Sequence, residues 1–163
     1  MSDYLFSAVP DVLVGPEASK QLGDLAVSMG ITRALIVTDR GIIQFGLLDS
    51  ATNSLNASKV EYELYADVVA DPPESVVMDA VTEGQAFNCD GVIGFGGGSS
   101  MDVAKLLAVL IKGEQSLSDI YGVDRITGGR LPLIQVPTTA GTGSEATMVS
   151  IITTGETTKA GVV

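Results

Sequence analysis

The fold of this chain is most clearly indicated by residues 92–105, which read Val-Ile-Gly-Phe-Gly-Gly-Gly-Ser-Ser-Met-Asp-Val-Ala-Lys. The apolar residues at the start predict a buried strand, and the residues after the glycines predict a helix from about Ser99 to Lys112. Ser99 is a suitable N-cap residue, and Asp102 follows three residues later, as in a capping box. The stretch therefore predicts a strand, a tight glycine turn and a helix.

The same alternation of strand and helix continues on both sides of this unit. Strands are predicted at residues 34–38, 60–65 and 133–136, and helices at residues 16–30, 46–56 and 74–88. Short, continuously apolar strands that alternate with helices are typical of an α/β fold with a mostly parallel sheet. We predict such a fold as a single domain over residues 1–163.

Three further segments complete the predicted organisation. Residues 4–15 indicate a short N-terminal extended arm or hairpin, and residues 113–130 are polar and loop-like. Residues 148–154 and 160–163 predict a hairpin that turns near Gly155. The chain stops within that apparent last strand, so we expect it to be part of a longer protein.

The composition excludes several classes of partner. The chain has 20 acidic and 9 basic residues, a net charge of −11, so we expect neither nucleic acid nor an anionic membrane surface to bind it. No apolar stretch is long enough to cross a bilayer, and no signal peptide is present, which predicts a cytoplasmic protein. The single cysteine, Cys89, rules out an internal disulfide and is interpreted as a packed thiol rather than a nucleophile.

The glycines at residues 96–98 are the strongest candidate for a ligand site. They stand between a predicted strand and a predicted helix, where free backbone N–H groups favour an anion. Lys105 lies too far into the helix for a Walker P-loop, and Ser99 stands where the common Rossmann fingerprint has its third glycine. We interpret the turn as a phosphate loop, the alternative being a glycine-rich turn without a ligand.

Two other positions follow predicted strands at the same edge of the sheet. Asp39 could accept hydrogen bonds from ribose hydroxyls and repel a 2′-phosphate, which would favour NAD over NADP. Alternatively, it could cap the end of the strand or interact with a helix dipole. Residues 137–147 are rich in threonine, serine and glycine. They could bind a pyrophosphate, ribose or amide, although ordinary surface loops have the same composition.

The two glycine-rich runs together resemble the signatures of the iron-containing (group III) alcohol dehydrogenases. The resemblance covers essentially the whole chain and implies a Rossmann-like domain that binds NAD, with NADP a weaker ligand. It further implies a set of cofactor-binding residues. These are Asp39, Asp71, Gly97, Gly98, Ser99, Ser100, Thr138, Thr139, Thr142, Thr147 and Lys159.

Within that set the resemblance assigns different parts of the cofactor. Gly97 to Ser100 would hold the pyrophosphate and Asp39 the adenosine ribose. Thr138, Thr139 and Thr142 would lie on the adenine and ribose side, with Thr147 and Lys159 nearer the nicotinamide. Asp71 stands where relatives often have Asn, so its contact with the cofactor is the weakest of these assignments.

The resemblance also implies a helical domain that carries an Asp and three His around iron or another divalent metal. This chain has no His, so neither catalytic residues nor metal ligands are assigned to it. The implied function is hydride transfer between NAD(P) and a small alcohol, aldehyde or ketone. A non-catalytic dinucleotide-binding module and a relative of glycerol dehydrogenase remain alternatives. The apolar arm over residues 5–14 could form a homodimer, or its edge could be covered within one chain.

Overall fold

Four strands form a parallel sheet at the centre of the molecule. In the computed structural model, which describes residues 9–155 and 158–163, they are β1 (Arg33–Val37), β2 (Glu61–Tyr65), β3 (Gly91–Gly96) and β4 (Leu133–Pro137). Their order across the sheet is β2-β1-β3-β4, and every adjacent pair is parallel. The predicted α/β fold with a mostly parallel sheet is confirmed.

Helices cover both faces of this sheet. They are α1 (Leu22–Ser28), α2 (Arg40–Gln44), α3 (Asp49–Ala57), α4 (Glu74–Phe87) and α5 (Gly98–Leu110). A separate antiparallel pair, β5 (Ser150–Thr154) and β6 (Thr158–Val162), is the predicted hairpin. Each of the three connections between successive parallel strands contains at least one helix, as a parallel crossover requires.

The apolar core is divided into two parts by the sheet. Side chains alternate across a strand, so Ala34 and Ile36 of β1 pack with α1 and α3, while Leu35 and Val37 pack with α4 and α5. All four are fully buried. Because both faces are covered at the centre of the sheet, β1 after Arg33 and all of β3 are continuously apolar, as the sequence indicated, whereas the edge strand β2 carries two glutamates and is mostly exposed.

The prediction of a helix over residues 46–56 is wrong at its beginning, because the observed helix α3 begins at Asp49. Two helices occupy this region, because the Asp39 carboxylate accepts a hydrogen bond from the Ile42 N–H and starts the short α2. Gly46 then adopts a φ of 66°, which ends α2 before α3 begins at Asp49.

The predicted capping box at the start of α5 is also wrong. The helix begins at Gly98 with Gly97 as its N-cap, so Ser99 lies inside the first turn. The Asp102 carboxylate faces away from the helix start and binds groups on the following loop and strand. A capping box does occur at Ser116 and Asp119, where it starts a short 3-10 helix that buries Leu117 and Ile120 in the segment predicted as a polar loop.

The prediction for the N-terminal arm can be compared with the structure only in part. Residues 1–8 lie outside the described residues, and residues 9–15 contain no strand. Of the apolar residues in this second part, Val12 and Val14 are exposed. Among the described residues, no helix is both long and apolar enough to span a membrane.

Candidate functional site

A cavity of about 210 Å³ opens at the carboxyl edge of the parallel sheet. The ends of three neighbouring strands meet there, because β2, β1 and β3 are adjacent and parallel. The residues that line it are Asp39, Val68, Val69, Ala70, Gly97, Gly98, Ser99 and Ser100. This is the edge at which open α/β sheets bind their ligands.

The glycines around this cavity fall into two groups. At Gly96 the φ is 150° and a Cβ would lie 2.8 Å from the Ser100 hydroxyl, so the turn itself requires glycine. At Gly97 and Gly98 the backbone is ordinary, and the nearest atoms to a Cβ would be on Thr139 at 3.4 Å and Thr142 at 3.6 Å. Packing of the protein therefore does not explain glycine at 97 and 98, whereas close approach of a ligand would.

The first turn of α5 presents hydrogen-bond donors to the same cavity. Met101 N–H donates to the Gly97 carbonyl at 3.2 Å, which is the first hydrogen bond of the helix. In the described part of the chain, the N–H groups of residues 98–100 donate to no protein acceptor. These donors and the helix dipole favour an anion at this point.

Asp39 also lines the cavity, next to the glycine turn. Its Oδ1 accepts the Ile42 N–H at 3.1 Å, and its Oδ2 lies 3.6 Å from the position that a Cβ on Gly96 would take. Of the alternatives that the sequence left open, the interaction with a helix end is thus present, in the form of an N-cap. One oxygen caps α2 and the other lies beside the glycine turn.

The threonine-rich segment, residues 138–148, borders the glycine turn from the β4 side. Thr138 N–H donates to the Gly96 carbonyl at 2.9 Å, and Thr139 and Thr142 are the residues nearest to Gly97 and Gly98. The Thr142 hydroxyl donates to Glu145 at 3.0 Å. None of the predicted threonines is among the residues that line the cavity, and the Thr147 N–H donates to the Gly143 carbonyl at 3.0 Å.

A partly buried ion pair on α5 connects this segment and the hairpin to the helix. Asp102 accepts hydrogen bonds from the Ser144 hydroxyl at 2.5 Å and the Ile151 N–H at 3.0 Å. Lys105 donates to Asp102 at 3.2 Å and to the Val149 carbonyl at 2.7 Å. Burial lowers the pKa of Lys105, and the Asp102 carboxylate opposes that shift. The pair therefore fixes where the threonine-rich segment lies relative to the glycine turn.

Asp71 and Lys159 contact each other at the edge of the site. The Lys159 ammonium lies 2.5 Å from an Asp71 carboxylate oxygen, and Asp71 follows Ala70, which lines the cavity. The φ of Asp71 is 50°, a conformation that Asn also adopts readily. Lys159, which the resemblance assigns to the nicotinamide end, is thus already paired with an acid.

The remaining reactive groups do not form a catalytic cluster. Burial, followed by the nearby Asp90 carboxylate, raises the pKa of the Cys89 thiol to about 11, which agrees with a packed thiol. Within residues 9–155 and 158–163, no group of three Cys, Asp or Glu side chains is arranged to hold a metal ion, and the chain has no His. The metal that the resemblance implies does not fit these residues.

The structure adds residues that the sequence interpretation missed. Val68, Val69 and Ala70 form one wall of the cavity, and Arg40 and Asp67 form an ion pair beside Asp39. The signal was available, because residues 66–70 follow β2 and must therefore emerge at the same edge as the glycine turn.

A parallel α/β sheet with a groove beside a helix amino end defines a class of domains that bind small anionic ligands. The family model for iron-containing alcohol dehydrogenase matches residues 10–163, and the chain belongs to that family.

Individual relatives agree with this assignment. The chain is 33% identical to sulfoacetaldehyde reductase of Bilophila wadsworthia, over 91% of this chain and 38% of that protein. It matches the iron-containing alcohol dehydrogenase structure from Thermotoga maritima with a TM-score of 0.89 and 36% identity, over 99% of this chain and 45% of that one. Sulfoacetaldehyde reductase from Bifidobacterium kashiwanohense, solved in complex with NAD+, gives a TM-score of 0.80 and 31% identity, over 91% and 40%. The chain thus spans less than half the length of these relatives.

Proposed function

We propose that this chain is the NAD(H)-binding domain of a two-domain, metal-assisted alcohol dehydrogenase. The observation that carries the proposal is the pair Gly97 and Gly98, which neither the backbone nor the packing of the protein requires. They lie beside N–H donors at the start of α5 that have no acceptor within residues 9–155 and 158–163. A pyrophosphate needs both the donors and the space that a Cβ would occupy.

Each remaining candidate has a defined role in this proposal. The N–H groups of residues 97–100, with the Ser99 and Ser100 side chains beside them, hold the pyrophosphate, and the free oxygen of Asp39 accepts from the adenosine ribose. Thr138, Thr139 and Thr142 border the adenine and ribose side. Thr147 and Lys159 lie toward the nicotinamide, and Asp71 orients Lys159. Bound NAD would supply the hydride acceptor for an alcohol, and these residues would only bind and orient it.

The comparisons support the proposal that this chain binds the cofactor and that the metal is bound elsewhere. A relative that matches most of this chain was solved in complex with NAD+. Since no metal cluster is formed by the described residues, we assign the metal to the part of the relatives' length that this chain does not span. We therefore expect this chain by itself to bind cofactor without oxidising an alcohol.

Titration of the chain with NADH, followed by nucleotide fluorescence or calorimetry without added metal, tests the proposal. We expect saturable binding that is lost in the variant Gly97→Val, Gly98→Val. Gly15→Val is the matched control, because a Cβ at Gly15 meets nothing within 4 Å and this residue lies outside the cavity. Absence of NADH binding to the unchanged chain, or binding unaffected by the double substitution, would refute it.

The preference for NAD over NADP is tested at Asp39. A 2′-phosphate would lie against the carboxylate, so Asp39→Gly should raise the affinity for NADPH relative to NADH by about tenfold. The measurement is the ratio of the two dissociation constants. A ratio equal to that of the unchanged chain would remove Asp39 from the ribose position.

A further inference from the structure

We propose that Asp67 is a second residue that sets cofactor selectivity, because it keeps the Arg40 guanidinium from binding a 2′-phosphate. This inference rests on the proposed function, in which Asp39 contacts the adenosine ribose. It concerns a residue pair that lies beside the cavity rather than in its lining. In this pair Arg40 directly follows Asp39 in the chain, so it places a cation beside the proposed ribose position.

The backbone brings Asp67 and Arg40 to the ribose end of the cavity. Asp39 and Asp67 form an isolated antiparallel bridge, so their backbones run side by side just beyond β1 and β2. Arg40 directly follows Asp39, and Val68, which directly follows Asp67, lines the cavity. Both charged side chains therefore begin next to the groove.

The side chains then meet each other. Arg40 Nε donates to Asp67 Oδ1 at 2.8 Å, and Arg40 Nη2 lies 2.6 Å from the same oxygen in an ion pair. The Arg40 side chain is 83% exposed and that of Asp67 is 59% exposed, so neither is confined by packing. In the absence of the Asp67 charge, Arg40 would be a mobile guanidinium next to the ribose site, and guanidinium groups bind phosphate well.

Two carboxylates thus act on the 2′-position in different ways. Asp39 repels a 2′-phosphate directly through its charge. Asp67 acts indirectly, by forming an ion pair with Arg40, which is the only cation adjacent in sequence to Asp39. An exposed ion pair is weak, so we expect the contribution of Asp67 to be smaller than that of Asp39.

The test is Asp67→Asn in the 163-residue chain, titrated with NADH and with NADPH. We expect the dissociation constant for NADPH to fall by about fivefold, while that for NADH changes by less than about twofold. The added substitution Arg40→Gln, in the Asp67→Asn background, should remove most of the gain. Because the groups are exposed, the gain should also shrink as salt is raised.

Glu61→Gln is the matched control. Glu61 is also an exposed carboxylate that pairs with an arginine, Arg33. It lies at the amino end of β2, whereas the cavity lies at the carboxyl ends of the strands. The Glu61→Gln substitution should leave the dissociation constants for NADH and NADPH unchanged. An unchanged NADPH-to-NADH ratio in Asp67→Asn would overturn the role of Asp67, as would a gain that persists fully without Arg40. Failure of the unchanged chain to bind NADH would instead overturn the proposed function.

Discussion

The two ends of the parallel sheet are built in opposite ways. At the amino end, the Asp90 carboxylate accepts the N–H groups of Thr32 and Arg33 and the Thr32 hydroxyl. The Arg33 guanidinium donates to Glu61 and to the Phe87 carbonyl, and lies 4.3 Å from the centre of the Phe87 ring. These polar groups at the amino end are thus paired with one another by the protein itself.

At the carboxyl end, polar groups face a cavity instead. The N–H groups of residues 98–100 have no protein acceptor among the described residues, and one oxygen of Asp39 lies beside the glycine turn. A folded protein seldom leaves donors unpaired without a ligand or water to bind them. The comparison therefore separates an end that holds the sheet together from an end that is available for binding.

The largest expected effect is on the free energy of unfolding, at the amino end of the sheet. Asp90→Ala removes the acceptor for three donors and should lower the free energy of unfolding by about 2–3 kcal/mol. NADH binding should be unchanged, because Asp90 lies at the opposite end of the sheet. Urea unfolding and NADH titration of the same variant check both parts. A loss of affinity with retained stability would contradict the comparison.

The next largest effect is on the affinity for NADH, at the carboxyl end of the sheet. Gly97→Ala should leave the free energy of unfolding unchanged or raise it by up to ~1 kcal/mol, because alanine fits there and restricts the unfolded chain. Its affinity for NADH should fall about tenfold, since the added methyl group occupies the pyrophosphate position. Urea unfolding and NADH titration measure the two quantities.

Gly96→Ala provides the contrasting variant for this experiment. At that position the φ of 150° and the Ser100 hydroxyl oppose a Cβ, so stability itself should fall. If both alanine variants destabilised the protein equally, the distinction between structural and ligand-binding glycines would be wrong.

The smallest expected effect is a dependence of the free energy of unfolding on pH, which arises from Asp90 at the amino end of the sheet. Burial alone would raise the pKa of Asp90, but the hydrogen bonds from Thr32 and Arg33 outweigh it and lower that pKa below 3.8. The stabilisation is therefore fully present above pH 3.8 and is lost as the pH falls through the lower pKa of the folded protein. The stability difference between the unchanged chain and Asp90→Asn should shrink on acidification below that value. A difference that is constant with pH would show that the carboxylate charge is not involved.

Much of the fold could be predicted because periodicity and local signals agree. The glycine run and its strand, the parallel sheet and the final hairpin all follow from short apolar runs separated by strong breaking residues. The division between α2 and α3 could not be predicted in the same way. It depends on Asp39 capping a five-residue helix, which is too short to show a periodic apolar face.

The sequence by itself determined the order of elements, the family signatures and the glycine turn, because these depend on residues close together in the chain. Only the tertiary structure decided which glycines the protein needs for its own packing, since that depends on Ser100, Thr139 and Thr142 in space. It also decided that Asp102 binds a segment some 42 residues away rather than its own helix end, and that Arg40 pairs with Asp67 across 27 residues. Contacts of this kind depend on how parallel strands align their ends, which no local pattern records.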